Sequence, residues 1–139
     1  MADLPGRDTQ TSVTPPRKGL WHVVDAASYS MAGFRRLMAE TAARQELAGG
    51  ALGVALLVWA QATTGQWLGF LVLFCALIAV EALNTAIEVL TDHISPGWSE
   101  TAKHAKDLGS LAVGLMLVAN LAYVGMIVVP FLTGSPALE

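Results

Sequence analysis

Between residues 66 and 92 the chain reads QWLGFLVLFCALIAVEALNTAIEVLTD, an apolar run that then sets Glu81, Asn84, Glu88 and Asp92 at intervals of three and four. At about 100° per residue these four fall in one helical stripe roughly 80° wide. Thr85 lies on its edge, and Leu83, Ile87 and Leu90 point elsewhere. The pattern predicts a membrane-spanning helix over about 66–90 with a single polar stripe. Carboxylates inside or at the rim of a bilayer are costly and persist where they face a protein interior or a wet cavity. The stripe therefore reads as a site.

Two further apolar runs predict two further spans. The first, 47–63 (LAGGALGVALLVWAQAT), is short for a crossing, and Gly49, Gly50 and Gly53 leave one side of its start open to close helix packing. Thr64-Gly65 is expected to turn the chain tightly, making the second span antiparallel to the first. The third, about 108–132, continues from Lys103–Asp107 and carries Pro130 near its end. In the 91–107 loop, Ser95-Pro96-Gly97 ends one helix, and Ser99 or Thr101 is placed to cap the next. Asn120, polar in mid-span, reads as a helix–helix hydrogen bond.

Residues 20–46 differ. Apolar positions recur at three and four, but Arg35, Arg36, Glu40, Arg44 and Glu46 interrupt them. This predicts an amphipathic helix lying in the membrane interface, which Ser28–Ser30 and Gly33 could bend, with Trp21 and Tyr29 in the headgroup layer. Residues 1–19 have no apolar segment of signal-peptide type and are expected to form a disordered tail; 133–139 form a short C-terminal tail. The expected fold is an all-α membrane protein: an N-terminal amphipathic surface helix and a three-helix transmembrane domain over 47–132.

Composition agrees. The chain of 139 residues is 54% hydrophobic and 14% charged, with mean hydropathy +0.54, where globular domains run to about 25% charged. A net charge of −3 gives no footprint for nucleic acid. Cys75 is the single cysteine and reads as an apolar filler. So small a protomer has little interior in which to bury a polar stripe, so an oligomer is expected. All eight Lys and Arg precede the first span or lie in the 91–107 loop. The positive-inside rule then puts the N-terminus and that loop in the cytoplasm and the C-terminus in the periplasm. Glu81 would lie about 10 Å deeper than Glu88.

At that cytoplasmic rim three groups can meet: the stripe, Glu40 with Arg44-Gln45-Glu46, and Lys103–Asp107. Glu40 and Glu88, carboxylates from different segments, would make a hard oxygen site suited to Mg²⁺ and substrate phosphates. Lys106 would add a cation for a polyphosphate. Glu81, deepest, is the natural base for a hydroxyl arriving from the bilayer. No Walker loop or GxGxxG is present, so a nucleotide site would be of another type. His22, His93 and His104 read as surface residues, and Glu100 and Lys103 as solvated anchors.

The run Glu81-Ala-Leu-Asn84-Thr-Ala-Ile-Glu88, then Asp92 and Ala105-Lys106-Asp107-Leu-Gly-Ser110, closely resembles the signature of bacterial membrane diacylglycerol kinases. Ala27-Ala-Ser-Tyr29-Ser30 and Glu40-Thr-Ala-Ala-Arg44-Gln45-Glu46 resemble that family in the same order, so the likeness covers about 20–132. It implies a homotrimer of three-span protomers with active sites shared between neighbours. It also implies transfer of the γ-phosphate of Mg-ATP to diacylglycerol at the inner membrane, giving phosphatidic acid. Carried over by motif, Glu81 is the general base, and Glu40 and Glu88 hold the metal. Asn84, Lys106 and Asp107 line the nucleotide site, with Tyr29 and Gly97-Trp98-Ser99 beside it. Arg44, Gln45, Glu46 and Ser110 lie near the lipid headgroup. Two positions depart: His22 stands where the family often has a basic residue that meets ATP, and Ala43 where it has an aromatic. A sister branch with the same acidic and Ala-Lys-Asp elements phosphorylates undecaprenol; the Arg-Gln-Glu run favours diacylglycerol. A small ion or proton transporter would also want carboxylates on a spanning helix, but nothing polar continues past Glu81 toward the periplasmic end of its span. A structural adaptor would leave Glu81 unexplained.

Overall fold

A computed structural model of the chain describes residues 20–134, with side chains described from Asp25 onward. The tail 1–19, the side chain of His22 and residues 135–139 lie outside the described residues. Four helices follow one another: α1 (Leu20–Leu37), α2 (Thr41–Trp59), α3 (Thr64–Ile94) and α4 (Glu100–Thr133). The described residues form no strand. The described residues divide into two compact units, one ending at Ala32 and the other beginning at Gly33.

In the first unit, α1 passes through Ser28–Ser30 without interruption. The two serine hydroxyls donate to carbonyls one turn back, Ser28 Oγ to Asp25 O at 2.7 Å and Ser30 Oγ to Ala26 O at 3.0 Å, so they do not compete with the helix for its own donors. Tyr29 and Met31 are exposed.

In the second unit, residues 38–40 separate α1 from α2, so the stretch 20–46 is shared between two helices. Glu40 is extended (φ −78°, ψ 138°) and occupies the N-cap of α2 without capping it. Its carboxylate pairs with Arg36 instead. Between α2 and α3 the turn lies at Ala60–Ala62, with Gln61 left-handed at φ 52°. Thr64-Gly65, expected as the turn, opens α3. The reason is local: Thr63 and Gln66 form a reciprocal capping box, which starts the helix one residue after Thr63. Ser99 caps α4, its hydroxyl accepting from the Ala102 amide at 3.3 Å.

α3 and α4 form the most extensive helix pair. With 31 and 34 residues, both are long and apolar enough to cross a membrane. α2 does not reach that mark within its 19 residues, because Arg44, Gln45 and Glu46 occupy its first two turns. A cluster of Leu57, Phe70 and Ile127 closes the end near the α2–α3 turn. Beside it, the Tyr123 hydroxyl donates to Gln66 O at 3.0 Å. Asn120 Nδ2 donates across to Leu73 O at 3.2 Å, a helix–helix hydrogen bond. The exterior, unlike that of a water-soluble bundle, is apolar, and several polar side chains are turned inward. Glu46, Glu81, Asn84, Thr85 and Asn120 are buried, while Leu68, Leu71, Val72, Leu111, Leu115 and Val118 are exposed. Such a surface suits lipid rather than water.

Candidate active site

The stripe on α3 turns inward. Glu81 is 3% exposed, Asn84 9% and Thr85 7%, whereas Leu83 and Leu90 are exposed by 65% and 59%. A pocket of about 210 Å³ collects Glu81, Asn84, Thr85 and Glu88 from α3, Ser110 and Val113 from α4, and Glu40 and Ala42 from the start of α2. Glu40 and Glu88 both lie within electrostatic reach of Glu81. Asn84 Nδ2 donates to Glu88 Oε1 at 3.1 Å, while Asn84 Oδ1 is buried without a partner. Gly109 makes that placement possible, since a Cβ there would collide with Asn84 Oδ1. The pocket thus joins one deep carboxylate, two carboxylates at its rim and a fixed carboxamide.

One turn beyond Glu88 the character changes. A second pocket of about 290 Å³ is formed where α3 hands over to α4, from Asp92, Ser95–Ser99, Ala102, Lys103, Lys106 and Asp107. Its two lysines are paired, Lys106 with Asp92 and Lys103 with Asp107. These pairs are solvent-exposed and contribute little to stability, so both ammonium groups can exchange partners with an incoming anion at small cost. On the other side, an apolar cavity of about 360 Å³ runs between α2, α3 and α4, with Gln45 and Glu46 among its lining residues. Glu46 is buried, and its Oε2 has no partner.

An acidic reaction pocket flanked by a cationic pocket and an apolar cavity fits transfer of a charged group to an amphiphile. Comparison with known proteins agrees. Residues 28–129 match the family model of prokaryotic diacylglycerol kinase. The chain belongs to the prokaryotic diacylglycerol kinase family. It is 41% identical over 120 residues to a diacylglycerol kinase of Sinorhizobium sp, covering 86% of this chain and 88% of that one. It is 32% identical over 101 residues to the diacylglycerol kinase of Escherichia coli strain K12, covering 72% and 83%. The protein is therefore a kinase, with two helices of membrane-crossing character.

In this kinase the residues singled out from sequence divide among the three cavities. Glu81, Glu40, Glu88, Asn84 and Ser110 line the acidic pocket. Gly97, Trp98, Ser99, Lys106 and Asp107 line the cationic one. Gln45 and Glu46 line the apolar cavity. Arg44 is exposed and donates to Thr41 Oγ1 at 3.2 Å. Tyr29 is 74% exposed and belongs to the first unit.

Sequence reasoning passed over Ala42 and Val113, which line both the acidic pocket and the apolar cavity, and Gly109. The first two carry no chemical signal. Gly109, between Asp107 and Ser110, could have been suspected from its place in a charged helix start. Gly109→Ala should favour the helix by about 1 kcal/mol yet cost about 1–3 kcal/mol by overpacking against Asn84. The expected outcome is a lower unfolding midpoint in detergent together with a weakened response to Mg²⁺. An unchanged midpoint and titration would show that Asn84 relaxes freely.

Proposed function

We propose that the chain transfers the γ-phosphate of Mg-ATP to the hydroxyl of diacylglycerol, giving phosphatidic acid and ADP. The observation that carries this reading is the placement of buried Glu81 in one pocket with Glu40 and Glu88. That both relatives are diacylglycerol kinases supports the acceptor, as does the Arg44-Gln45-Glu46 run.

Glu81 acts as the general base. As the lipid oxygen forms its bond to the γ-phosphorus, the carboxylate takes the hydroxyl proton. The bond from that phosphorus to the ADP oxygen breaks, and ADP leaves with its electron pair. Glu81 then returns its proton to water. Glu40 and Glu88 are hard oxygen donors facing one pocket, with the unpaired Asn84 Oδ1 beside them. Among the described residues, no group of three or more His, Cys, Asp or Glu side chains could hold a metal ion. Two carboxylates suit Mg²⁺, which takes one or two and completes its shell with water and phosphate oxygens. When bound, the ion neutralises charge on the phosphates. Asn84 holds Glu88 in place by its hydrogen bond. Lys106 offers a cation to the polyphosphate, with Asp107 and Gly97–Ser99 around the nucleotide. Arg44, Gln45, Glu46 and Ser110 meet the lipid headgroup.

The proposed setting is the bacterial inner membrane. α3, α4 and the first span, 47–63, cross it, the segment 20–46 lies at the interface, and three protomers share sites. Placement of every Lys and Arg before the first span or in the 91–107 loop supports a cytoplasmic N-terminus and a periplasmic C-terminus.

The test is transfer from labelled ATP in detergent micelles, with diacylglycerol and undecaprenol offered in parallel and Mg²⁺ titrated. Labelled phosphatidic acid that depends on Mg²⁺ is the expected product. Undecaprenyl phosphate as the main product would replace the acceptor. No product from either lipid, in folded protein, would reject the assignment.

A further inference from the structure

We infer that Glu46 lets the lipid acceptor in only while its carboxyl carries a proton, and so ties the affinity for the lipid, but not for the nucleotide, to pH. The inference rests on the lipid-kinase reading above. Glu46 stands on α2, immediately before the first span, 47–63. It lines the apolar cavity of about 360 Å³. That cavity shares Ala42 and Val113 with the acidic pocket. A lipid whose hydroxyl reaches Glu81 therefore has its apolar body beside Glu46.

The surroundings of Glu46 give a negative charge no support. The residue is 6% exposed, and its Oε2 is buried without a partner. Among the described residues, no cation pairs with it. Its neighbour Arg44 is exposed and donates to Thr41 Oγ1 instead. α2 packs against α3 and α4. From α3 the charged group that acts on Glu46 is Glu81, of the same sign. α4 brings Val113, Leu117, Asn120, Leu121 and Val124 to the cavity, none of which titrates. Burial first, and then the Glu81 carboxylate, push the Glu46 carboxyl up to about 7, against about 4.3 for a glutamate in water.

Charge and lipid then exclude one another. A lipid that fills the cavity displaces the water that would solvate a carboxylate there, and an ionised carboxylate without water or a partner is costly. The neutral acid carries no such cost. Linkage makes the effect reciprocal: lipid holds the proton on Glu46, and loss of the proton weakens lipid binding. Affinity for the lipid is therefore complete below about pH 7 and is lost as the pH rises above it. The base acts in the opposite sense. Glu81 must be ionised to take the hydroxyl proton, so its titration makes the rate rise with pH. The cationic pocket, built between Asp92 and Asp107, contains no part of Glu46, so nucleotide binding stays outside this dependence.

The experiment uses the full chain in micelles of a non-ionic detergent at saturating Mg-ATP, and follows KM and kcat for diacylglycerol from acid to alkaline pH. In the wild-type protein, KM for the lipid is expected to stay level up to about pH 7 and then to rise about 10-fold per pH unit, the slope for loss of one proton. Neither kcat at saturating lipid nor the affinity for ATP should fall over the same range. Glu46→Gln, uncharged at every pH, should abolish the alkaline rise in KM. Glu100→Gln, at an exposed carboxylate in the first turn of α4, should keep the wild-type profile. Should Glu46→Gln fail to fold, Glu46→Met supplies the uncharged side chain. A lipid KM that stays level through the alkaline range in the wild-type protein would overturn the inference, and so would a rise that persists without the Glu46 carboxyl. Absence of transfer to diacylglycerol at every pH would instead overturn the underlying lipid-kinase reading.

Discussion

Glu81→Gln is expected to lower the rate of phosphate transfer by roughly 10²–10⁴-fold, the range general-base catalysis supplies. The substitution keeps the shape and a hydrogen-bonding carbonyl, and removes the proton acceptor. Glu81 is 3% exposed in the pocket it shares with Glu40 and Glu88. Nucleotide binding should survive, because the cationic pocket is built from other residues, between Asp92 and Asp107. A fluorescent ATP analogue in detergent gives that second readout. Near-normal turnover would remove Glu81 from the role of base. Loss of both turnover and nucleotide binding would instead give it a structural role.

Glu88→Gln should act differently. The amide oxygen of glutamine can still accept the hydrogen bond from Asn84 Nδ2, now 3.1 Å from Glu88 Oε1, so Asn84 keeps its anchor. What disappears is one negative charge at the rim of the pocket. Supporting groups around a metal alter its affinity by 10–100-fold, and a direct ligand should lie at the upper end. The Mg²⁺ concentration for half-maximal activity is therefore expected to rise by about 100-fold. Mn²⁺ binding to the ATP-loaded protein, followed by electron paramagnetic resonance, should weaken in parallel. An unaltered Mg²⁺ titration would exclude Glu88 from the ion's shell.

Much of this site was legible in the chain itself, for a covalent reason. Glu81, Asn84 and Thr85 point one way because helical spacing leaves them no choice, and the same spacing turns Leu83 and Leu90 outward. Asp92 belongs to the stripe by spacing but is exposed and pairs with Lys106 instead, because it lies in the last turn of α3. The cap at Ser99 followed from its hydroxyl and its place after Ser95-Pro96-Gly97. The α2–α3 turn was misplaced by a few residues. Thr64-Gly65 looks like a breaker, yet the Thr63–Gln66 box captures both residues into the first turn of α3. Within 20–46, the periodic apolar pattern hid the break at 38–40, since periodicity reports a face and not its continuity.

What the sequence by itself determined is the apolar character of α3 and α4, the polar stripe, and the family signature around it, all of which rest on residues close together in the chain. Only the tertiary structure decided that Glu40 enters the same pocket as Glu81 and Glu88, that Gly109 yields room for Asn84, and that Glu46 is buried beside an apolar cavity. Each of those depends on how far apart two helices lie. That spacing is set by which small residues face which rings: Gly50 against Phe74 and Gly53 against Phe70. One sequence names the partners of such contacts only after the helices have been brought together.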